Sequence, residues 1–208
     1  MAFPQPVDLT GKSPRERILL TAHDLFYCEG IRATGIDRVI AEAGVTKVTF
    51  YRHFPSKNKL ILEFLDYRHE RWMTWFKGAL ERHGGHRAKG AAALVPALNE
   101  WFSDPGYRGC AFLNSVGEVG QSIPEVVEIT RNHKHDMAEA IETLLPAARS
   151  RWADAKALAL AVDGAILHAQ FDSAAEALKP LERLVKMLKE STGGALAKGG
   201  AGPKTAVA

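Results

Sequence analysis

The stretch GVTKVTFYRHFPSK, residues 44–57, decides the fold of this chain. Thr46 is a residue type that caps the start of a helix, and the proline after Phe54 disfavours helical geometry before it, so a short helix is predicted over 47–53. Phe50 and Phe54 are four residues apart and share one face of that helix, which predicts that this face is buried. The polar side chains then lie on the opposite, exposed face.

Two further helices are predicted directly upstream. The sequence Ser13-Pro14-Arg15-Glu16 has the form of a capping box with proline at the first helical position, and Gly30 supplies a left-handed stop. A second helix is predicted to follow, with Thr34 as its cap, and to end at Gly44. Three short helices with a glycine in the turn between the second and third form the helix-turn-helix pattern.

The exposed face of the third helix has the chemistry needed to read DNA. A recognition helix enters a major groove about 12 Å wide, so it needs compact polar side chains near its start, and Val48 suits a thymine methyl group. No acidic residue occurs between Glu42 and Glu63, whereas lysines and arginines do, which is the charge pattern of a phosphate-facing surface. The predicted DNA-binding residues are Thr34, Gly35, Thr46, Lys47, Val48, Thr49, Tyr51, Arg52, His53 and Lys57, with Tyr51, Arg52 and Lys57 on phosphate.

The overall composition limits the class of protein. Hydrophobic residues make up 46% and charged residues 25% of the 208 residues, which is typical of a globular chain. No apolar run approaches the ~18 residues that indicate a membrane-spanning helix, and the N-terminal residues lack the apolar core of a signal peptide. Two cysteines, Cys28 and Cys110, are too few for a disulfide framework. We therefore expect a cytoplasmic protein with no membrane partner.

Helices are predicted for the rest of the chain as well, because strand and hairpin signals are poor. Ser56 caps a long helix predicted over 57–81, and further helices are predicted over 88–103, 110–121, 124–145, 152–171 and 174–190. The predicted division is a flexible N-terminus over 1–12, a helix-turn-helix domain over 13–57, an effector-binding and dimerisation domain over 58–190, and a flexible tail over 191–208.

The block from Gly44 to Lys57 follows the pattern Gly-Val-[Ser/Thr]-x-x-x-[Leu/Phe]-Tyr-x-His-Phe-x-[Ser/Asn]-Lys, and residues 15–65 thereby resemble the N-terminal domain of the TetR/AcrR family of bacterial repressors. The resemblance implies an all-α protein in which a three-helix helix-turn-helix domain is joined by a long helix to a helical ligand-binding and dimerisation domain. It also implies a repressor that a small-molecule effector releases from a palindromic operator on double-stranded DNA. On the DNA side it places Lys47, Thr49, Tyr51, Arg52, His53 and Lys57.

An aromatic-rich set of residues is the predicted effector site. An apolar pocket lined by aromatic rings suits a hydrophobic or planar molecule, although ordinary core packing of the same residues stays open. Residues 109–114 with Glu118 resemble a branch of the family in which some members sense electrophiles or oxidants through the cysteine. A redox- or electrophile-sensing repressor acting through Cys110 is therefore the alternative. The predicted ligand-binding residues are Trp72, Phe76, Trp101, Cys110 and Phe112.

A homodimer is predicted to form through the last two helices. Gly164 and many alanines allow close helix approach, so two helices from each subunit can make a four-helix interface with two-fold symmetry. The apolar residues assigned to these helices are Leu158, Val162, Ile166, Leu178, Leu181, Leu184, Val185 and Leu188.

An enzyme and a helical protein-interaction module are the other classes of protein that an all-helical chain allows. For an enzyme, no catalytic or metal-binding motif is found, and His133 and His135 are two residues apart on a predicted helix, so their side chains diverge. No catalytic residue, metal or cofactor is therefore predicted. For a helical protein-interaction module without DNA binding, salt-dependent binding to DNA is the distinguishing property.

Overall fold

The computed structural model describes residues 8–198 of the chain, with the side chains of 8–86 and 89–190. This part of the chain contains no β-strand, which confirms the predicted all-α fold, and none of its helices is long and apolar enough to cross a membrane. Over these residues nine α-helices follow one another: α1 Pro14–Glu29, α2 Ile36–Glu42, α3 Lys47–His53, α4 Lys57–Arg82, α5 Leu94–Phe102, α6 Ala111–Val119, α7 Pro124–Glu142, α8 Arg151–His168 and α9 Ala174–Lys198.

The first three helices form the predicted helix-turn-helix unit. The capping box is present at the start of α1, where the Ser13 N–H donates to Glu16 Oε2 at 2.9 Å and the Glu16 N–H donates to Ser13 Oγ at 3.3 Å. Gly30 follows α1 with a φ of +94°, which a side chain would oppose. The inward faces of α1 to α4 meet in one apolar core, with the following side chains at most 4% exposed: Ile18, Ala22, Phe26, Val39, Phe50, Phe54, Leu60 and Phe64.

The predicted cap of α2 is wrong. Gly35, not Thr34, occupies the N-cap position, and no side chain caps this helix. Thr34 is fully buried, and its hydroxyl donates to the Gly30 carbonyl at 2.8 Å. A threonine hydroxyl that could cap a helix can also donate to the carbonyl of a preceding turn. Because Thr34 is buried, its hydroxyl bonds the Gly30 carbonyl instead of capping α2.

α4 connects the helix-turn-helix unit to the remaining helices. It packs against α1 near its start and against α7 further along. Arg68 of α4 is buried, with its guanidinium 3.9 Å from the Tyr27 ring and its Nη1 atom 3.3 Å from His23 Nε2. α1 and α4 are therefore joined by this polar contact as well as by apolar packing.

The helix predicted over 88–103 is wrong in its first half. A π-helical turn, Gly85–Lys89, and a 3₁₀ turn, Gly90–Ala93, precede α5. The cause is close packing against Leu144 of the α7–α8 connection. A Cβ atom at Gly85 would lie 2.8 Å from Leu144 Cδ2, and one at Gly90 would lie 3.0 Å from the Leu144 carbonyl oxygen.

The predicted ends of the chain are only partly described. α9 continues to Lys198, beyond the end predicted at residue 190 and into the tail predicted from residue 191, and residues 199–208 lie outside the described part. Of the N-terminus predicted to be flexible, residues 1–7 also lie outside it. Residues 8–12 contain a turn in which the Lys12 N–H donates to the Leu9 carbonyl at 3.2 Å.

Candidate nucleic-acid interface

α3 is held in place by its buried face. The Thr49 N–H donates to Thr46 Oγ1 at 3.1 Å, so Thr46 caps the helix as predicted. Phe50 and Phe54 are 0% exposed, and their ring centroids lie 6.2 Å apart. Fixing both ends of a two-turn helix to the core in this way leaves its other face rigidly presented to solvent.

The exposed face of α3 carries the side chains predicted to contact DNA. Val48 is 71% exposed, so its methyl groups are accessible to a partner surface. Tyr51 is 42% exposed and stands edge-on against the Phe50 ring at 5.3 Å. Lys47 and Arg52 are exposed, and the Lys47 ammonium lies 3.6 Å from Asp37. A solvent-exposed pair of this kind is weak, so Lys47 remains available to a phosphate.

The turn between α2 and α3 is built on Gly44. Its φ is +61°, and its N–H donates to the Ala41 carbonyl at 3.2 Å, while the Val45 N–H donates to the Ile40 carbonyl at 3.2 Å. A left-handed residue at this position is what glycine supplies without strain. The turn therefore fixes the angle between the two helices of the motif.

Two of the predicted DNA-binding residues do not face outward. Thr34 is buried, so its predicted contact with DNA is wrong. Lys57 is half-buried, and its ammonium donates to the Ile31 carbonyl at 2.5 Å, 5.9 Å from the Phe26 ring centroid. Burial lowers the pKa of Lys57, opposed by the charge of Glu118. A phosphate contact from Lys57 would require a different rotamer.

The remaining predicted residues lie on the surface of the motif. Gly35 is exposed at the start of α2, and a Cβ atom there would meet nothing within 4 Å. Thr46 is exposed, whereas Thr49 and His53 are half-buried along the edges of α3. Seven of the ten predicted residues thus lie on α3 or at its cap, each exposed or half-buried, and Gly35 is exposed at the start of α2.

Sequence reasoning did not predict that Tyr27 and Glu118 hold the helix-turn-helix unit against the rest of the chain. Tyr27 at the end of α1 donates to the Gly109 carbonyl at 3.0 Å and accepts from the Arg108 N–H at 3.0 Å. Glu118 of α6 accepts from the Arg32 N–H at 2.9 Å. No local sequence pattern marks these contacts, because each joins residues at least 80 positions apart.

The residues predicted to bind the effector are packed together, and the space beside them is small. Trp72 and Phe76 stack with ring centroids 4.6 Å apart, and Trp101 stands 5.6 Å from Trp72. A cavity of only about 10 Å³ adjoins Trp72, Trp101, Cys110 and Phe112. Phe76 does not line it. The Nε1 atoms of Trp72 and Trp101 are buried without a hydrogen-bond acceptor in the described part of the chain.

Cys110 lies beside a cation in the same region. It is 4% exposed, and the Lys134 ammonium donates to its Sγ atom at 3.4 Å and also pairs with Asp163. Burial lowers the pKa of Lys134, but its contacts with Cys110 and the Asp163 carboxylate outweigh this effect, so the pKa of Lys134 is raised. The second cysteine, Cys28, is half-buried, and this burial raises the pKa of its thiol.

An apolar surface remains exposed on α8 and α9, but through other residues than those predicted. Leu158, Val162 and Ile166 are buried inside the chain. Exposed instead are Leu160 at 74%, Leu167 at 55%, Phe171 at 69% and Met187 at 55%. Leu160 and Leu167 are seven residues apart, so they share one face of α8, and Gly164 lies between them.

Comparison with known proteins identifies this arrangement. Residues 18–64 match the profile of the tetR family of bacterial regulatory proteins. The regulator YerO of Bacillus subtilis is 42% identical over 53 residues, which are 26% of this chain and 18% of YerO. The activator FasR of Mycolicibacterium smegmatis is 31% identical over 80 residues, 38% of this chain and 36% of FasR. The chain thus matches well under half the length of these curated relatives.

Solved structures extend the likeness beyond the N-terminal helices. A TetR-family transcriptional regulator of Streptomyces coelicolor superimposes with a TM-score of 0.73 at 28% identity, covering 86% of this chain and 89% of the other. NemR of E. coli in its reduced form gives a TM-score of 0.67 at 17% identity, covering 86% and 96%, and shows the fold alone.

The fold and the presented helix are those of a helix-turn-helix protein. Residues 18–64 are similar to the tetR family of bacterial regulatory proteins, and the helices that follow are arranged as in a solved TetR-family regulator. The matched family and the curated relatives are regulators of transcription and not enzymes, in agreement with the class predicted for this chain.

Proposed function

We propose that the protein is a homodimeric transcriptional repressor that a small-molecule effector releases from a palindromic operator on double-stranded DNA. The observation that carries the proposal is the exposed face of α3, where Lys47, Val48 and Arg52 project from a helix anchored by two buried phenylalanines. These side chains match the needs of a recognition helix in the major groove. A cytoplasmic location belongs to the same proposal, because the operator lies there.

The exposed apolar surface of α8 and α9 supports a dimer. Scattered apolar residues are normal on a surface, but Leu160, Leu167 and Phe171 recur along one helix and its end. A second copy of the same surface, related by a two-fold axis, would cover them. Two recognition helices would then lie about 34–36 Å apart, the spacing of successive major grooves on one side of DNA.

The experiment is selection of genomic fragments by the full-length protein, followed by fluorescence anisotropy on the enriched sequence. We expect an inverted repeat with half-sites about one helical turn apart, bound with an affinity that falls steeply with salt. A helical protein-interaction module would enrich no sequence, and that outcome would overturn the proposal.

The effector site in this proposal is the aromatic cluster of Trp72, Trp101 and Phe112. Two buried indole N–H groups without acceptors each carry a free-energy penalty of about 1–3 kcal/mol, which an acceptor oxygen on a ligand would relieve. The adjoining 10 Å³ has room for about one water molecule, so a planar effector must bind a more open state of the cluster. By favouring that state, the effector would move α4 and with it α1.

The test uses 9-fluorenone, a planar ketone that does not react with thiols. We expect it to release operator DNA from the parent protein and to do so less effectively from Trp101→Phe. This substitution keeps an aromatic ring and removes the indole N–H donor. Trp152→Phe, on the half-buried start of α8, is the matched control. Equal release by the Trp101 and Trp152 variants would exclude this site.

The alternative function is electrophile sensing through Cys110, favoured by the 3.4 Å contact of Lys134 with its sulfur. A cationic neighbour is typical of reactive cysteines. With a quinone, the Cys110 sulfur would form one C–S bond to a ring carbon. The thiol proton would end on one quinone oxygen and the proton of the attacked ring carbon on the other, giving the hydroquinone thioether. Because the sulfur is 4% exposed, the reaction also requires the cluster to open.

Cys110→Ser tests this alternative, with Cys28→Ser as the control. If 1,4-benzoquinone releases the operator from the parent and from Cys28→Ser but not from Cys110→Ser, the cysteine is the sensor. A C–S adduct detected by mass on Cys110 would accompany that result. Equal release from all three proteins would rule the alternative out.

A further inference from the structure

A second cavity lies at the other end of α4 from the recognition helix. α4 begins at Lys57 beside the helix-turn-helix unit and ends at Arg82, a length of about 39 Å for 26 residues. Beyond that end the π-helical turn Gly85–Lys89, the α7–α8 connection and α9 enclose a cavity of about 470 Å³. This volume falls in the range of about 300–1,000 Å³ typical of small-molecule sites.

The floor of this distal cavity is apolar. Leu144 and Val185 are buried beneath it, and Leu188 is half-buried at its side. Ala91 and Ala92 of the 3₁₀ turn and Pro146 and Ala148 of the α7–α8 connection complete the lining. The floor can therefore hold the apolar body of a ligand.

Cations line the same cavity. Lys89, Arg151 and Lys189 contribute three positive charges against the single carboxylate of Asp154, a formal balance of +2 with histidine neutral. Lys89 is exposed and has no ion-pair partner among the described residues. Arg151 donates its Nε–H to the Glu142 carbonyl at 3.0 Å, and the same nitrogen lies 3.9 Å from the Glu142 carboxylate, so its two terminal nitrogens remain for another acceptor.

The backbone at this site is unusual as well. A π-helical turn is rare and occurs frequently at functional sites, and this one has a left-handed glycine on each side, Gly84 with a φ of +78° and Gly90 with +54°. His86 fixes the turn, since its Nδ1 lies 2.8 Å from Glu81 of α4 and its Nε2 lies 3.0 Å from Thr143 Oγ1. The wall of the cavity is thereby built against the end of α4.

We propose that the distal cavity binds an amphiphile with one anionic head group, with its apolar body on Leu144, Val185 and Leu188 and its anion on Lys89 and Arg151. A carboxylate at these cations would form charge-assisted hydrogen bonds. The proposal does not depend on DNA binding, and the ligand here differs in chemistry from the neutral planar effector proposed for the aromatic cluster.

Isothermal titration of the full-length protein with decanoate and with decanol tests the proposal. We expect decanoate to bind once per protomer, about tenfold more tightly than decanol, since a hydrogen bond to a charged group contributes about 1.5 kcal/mol. The double variant Lys89→Gln/Arg151→Gln should lose this preference. The matched control Lys77→Gln/Arg131→Gln removes the same charge from exposed positions elsewhere and should keep it.

A cavity-filling variant locates the bound molecule. Leu188→Trp should abolish decanoate binding, whereas Leu113→Trp, on the exposed surface of α6, should leave it unchanged. Circular dichroism confirms that each variant is folded. Absence of decanoate binding, equal binding of decanol, or binding that is insensitive to both cavity variants would overturn the proposal. Operator binding is measured separately by anisotropy. A failure of decanoate to bind is therefore distinguishable from a failure of the proposed repressor function.

Discussion

The carboxylate of Glu118 accepts a hydrogen bond from the backbone N–H of Arg32 at 2.9 Å and so ties α6 to the turn between α1 and α2. From the other side of the same turn, the Lys57 ammonium donates to the Ile31 carbonyl at 2.5 Å. A Cβ atom at Gly30 would lie 3.1 Å from Glu118 Oε2, so glycine is required for the approach. One carboxylate and one ammonium thus hold this turn, in addition to the Tyr27 contacts with Arg108 and Gly109 at the end of α1.

Replacing Glu118 tests how far this contact fixes the DNA-binding surface. We expect Glu118→Ala to lower the free energy of unfolding by about 1 kcal/mol and to weaken operator binding, because the turn loses its acceptor on α6. Glu118→Gln keeps an acceptor oxygen and should retain most of both properties. Chemical denaturation and anisotropy measure them. Glu128→Ala, from an exposed ion pair with Arg131, is the control, and parent-like behaviour of Glu118→Ala would contradict the assignment.

Arg52→Ala should reduce the salt dependence of operator binding. Each phosphate contact contributes about 0.9 to the slope of log K against log salt, so loss of one contact per half-site is measurable in the dimer. Affinity should fall for operator and unrelated DNA alike, since a phosphate contact carries no sequence information. Arg131→Ala removes an equally exposed arginine from α7 and should leave the slope unchanged. An unchanged slope for Arg52→Ala would mean that this side chain does not contact a phosphate.

Local signals explain why the N-terminal helices were predicted well. The capping box at Ser13 and the cap at Thr46 act within a few residues and are used as predicted. Gly30 ends α1 with a positive φ of +94°, but its ψ of 153° differs from that of the predicted left-handed stop. The C-terminal prediction was weaker because packing decides there. The π-helical turn after α4 follows from contact of Gly85 with Leu144, which are far apart in sequence.

The same distinction separates the site residues. The outward face of α3 follows from the spacing of Phe50 and Phe54 and was predictable. Burial of Thr34 and the inward bond of Lys57 depend on where Gly30 and Ile31 come to lie, which no local pattern specifies. The closed state of the aromatic cluster likewise depends on how α4, α5 and α6 meet.

Thr34→Val isolates the consequence of this burial. The valine is nearly isosteric and keeps the packing, but the hydroxyl bond to the Gly30 carbonyl is lost, so the free energy of unfolding should fall by about 1 kcal/mol. Because Thr34 is 0% exposed, a nuclease footprint on the operator should show the same protected bases as the parent. A footprint altered at specific bases would mean that Thr34 reaches DNA after all.

The dimer surface is tested by placing charge on α8. Leu160→Glu/Leu167→Glu puts two carboxylates where the proposed interface is apolar, and like charges then face each other across the two-fold axis. We expect sedimentation equilibrium to change from twice the chain mass of 22.7 kDa to the mass of one chain. Leu113→Glu, 40% exposed on α6, should remain dimeric. A dimer that survives the double substitution would place the interface elsewhere.

Two histidines are buried where protonation is unfavourable. Burial and the neighbouring charges of Lys134 and His69 hold the pKa of His133 well below its ordinary value of 6.5. Its ring stacks on Phe112 with centroids 3.6 Å apart, and its Nδ1 lies 3.1 Å from His69 Nδ1. Burial also lowers the pKa of His23, although a hydrogen bond to Asp24 opposes the shift.

The folded protein should therefore lose stability as the pH falls below 6.5, the ordinary value for histidine. Below that pH the unfolded chain binds protons at His133 and His23 that the folded chain does not, so unfolding is favoured by up to about 1.4 kcal/mol per pH unit for each histidine. Above it both states are neutral there and the contribution vanishes. His133→Gln should lower stability at neutral pH but flatten the decline, measured by urea denaturation between about pH 5.5 and 7.5. His135 is exposed on the same helix, so the stability of His135→Gln should decline with pH as steeply as that of the parent. An equally steep decline for His133→Gln would mean that the His133 ring is protonated in the folded protein.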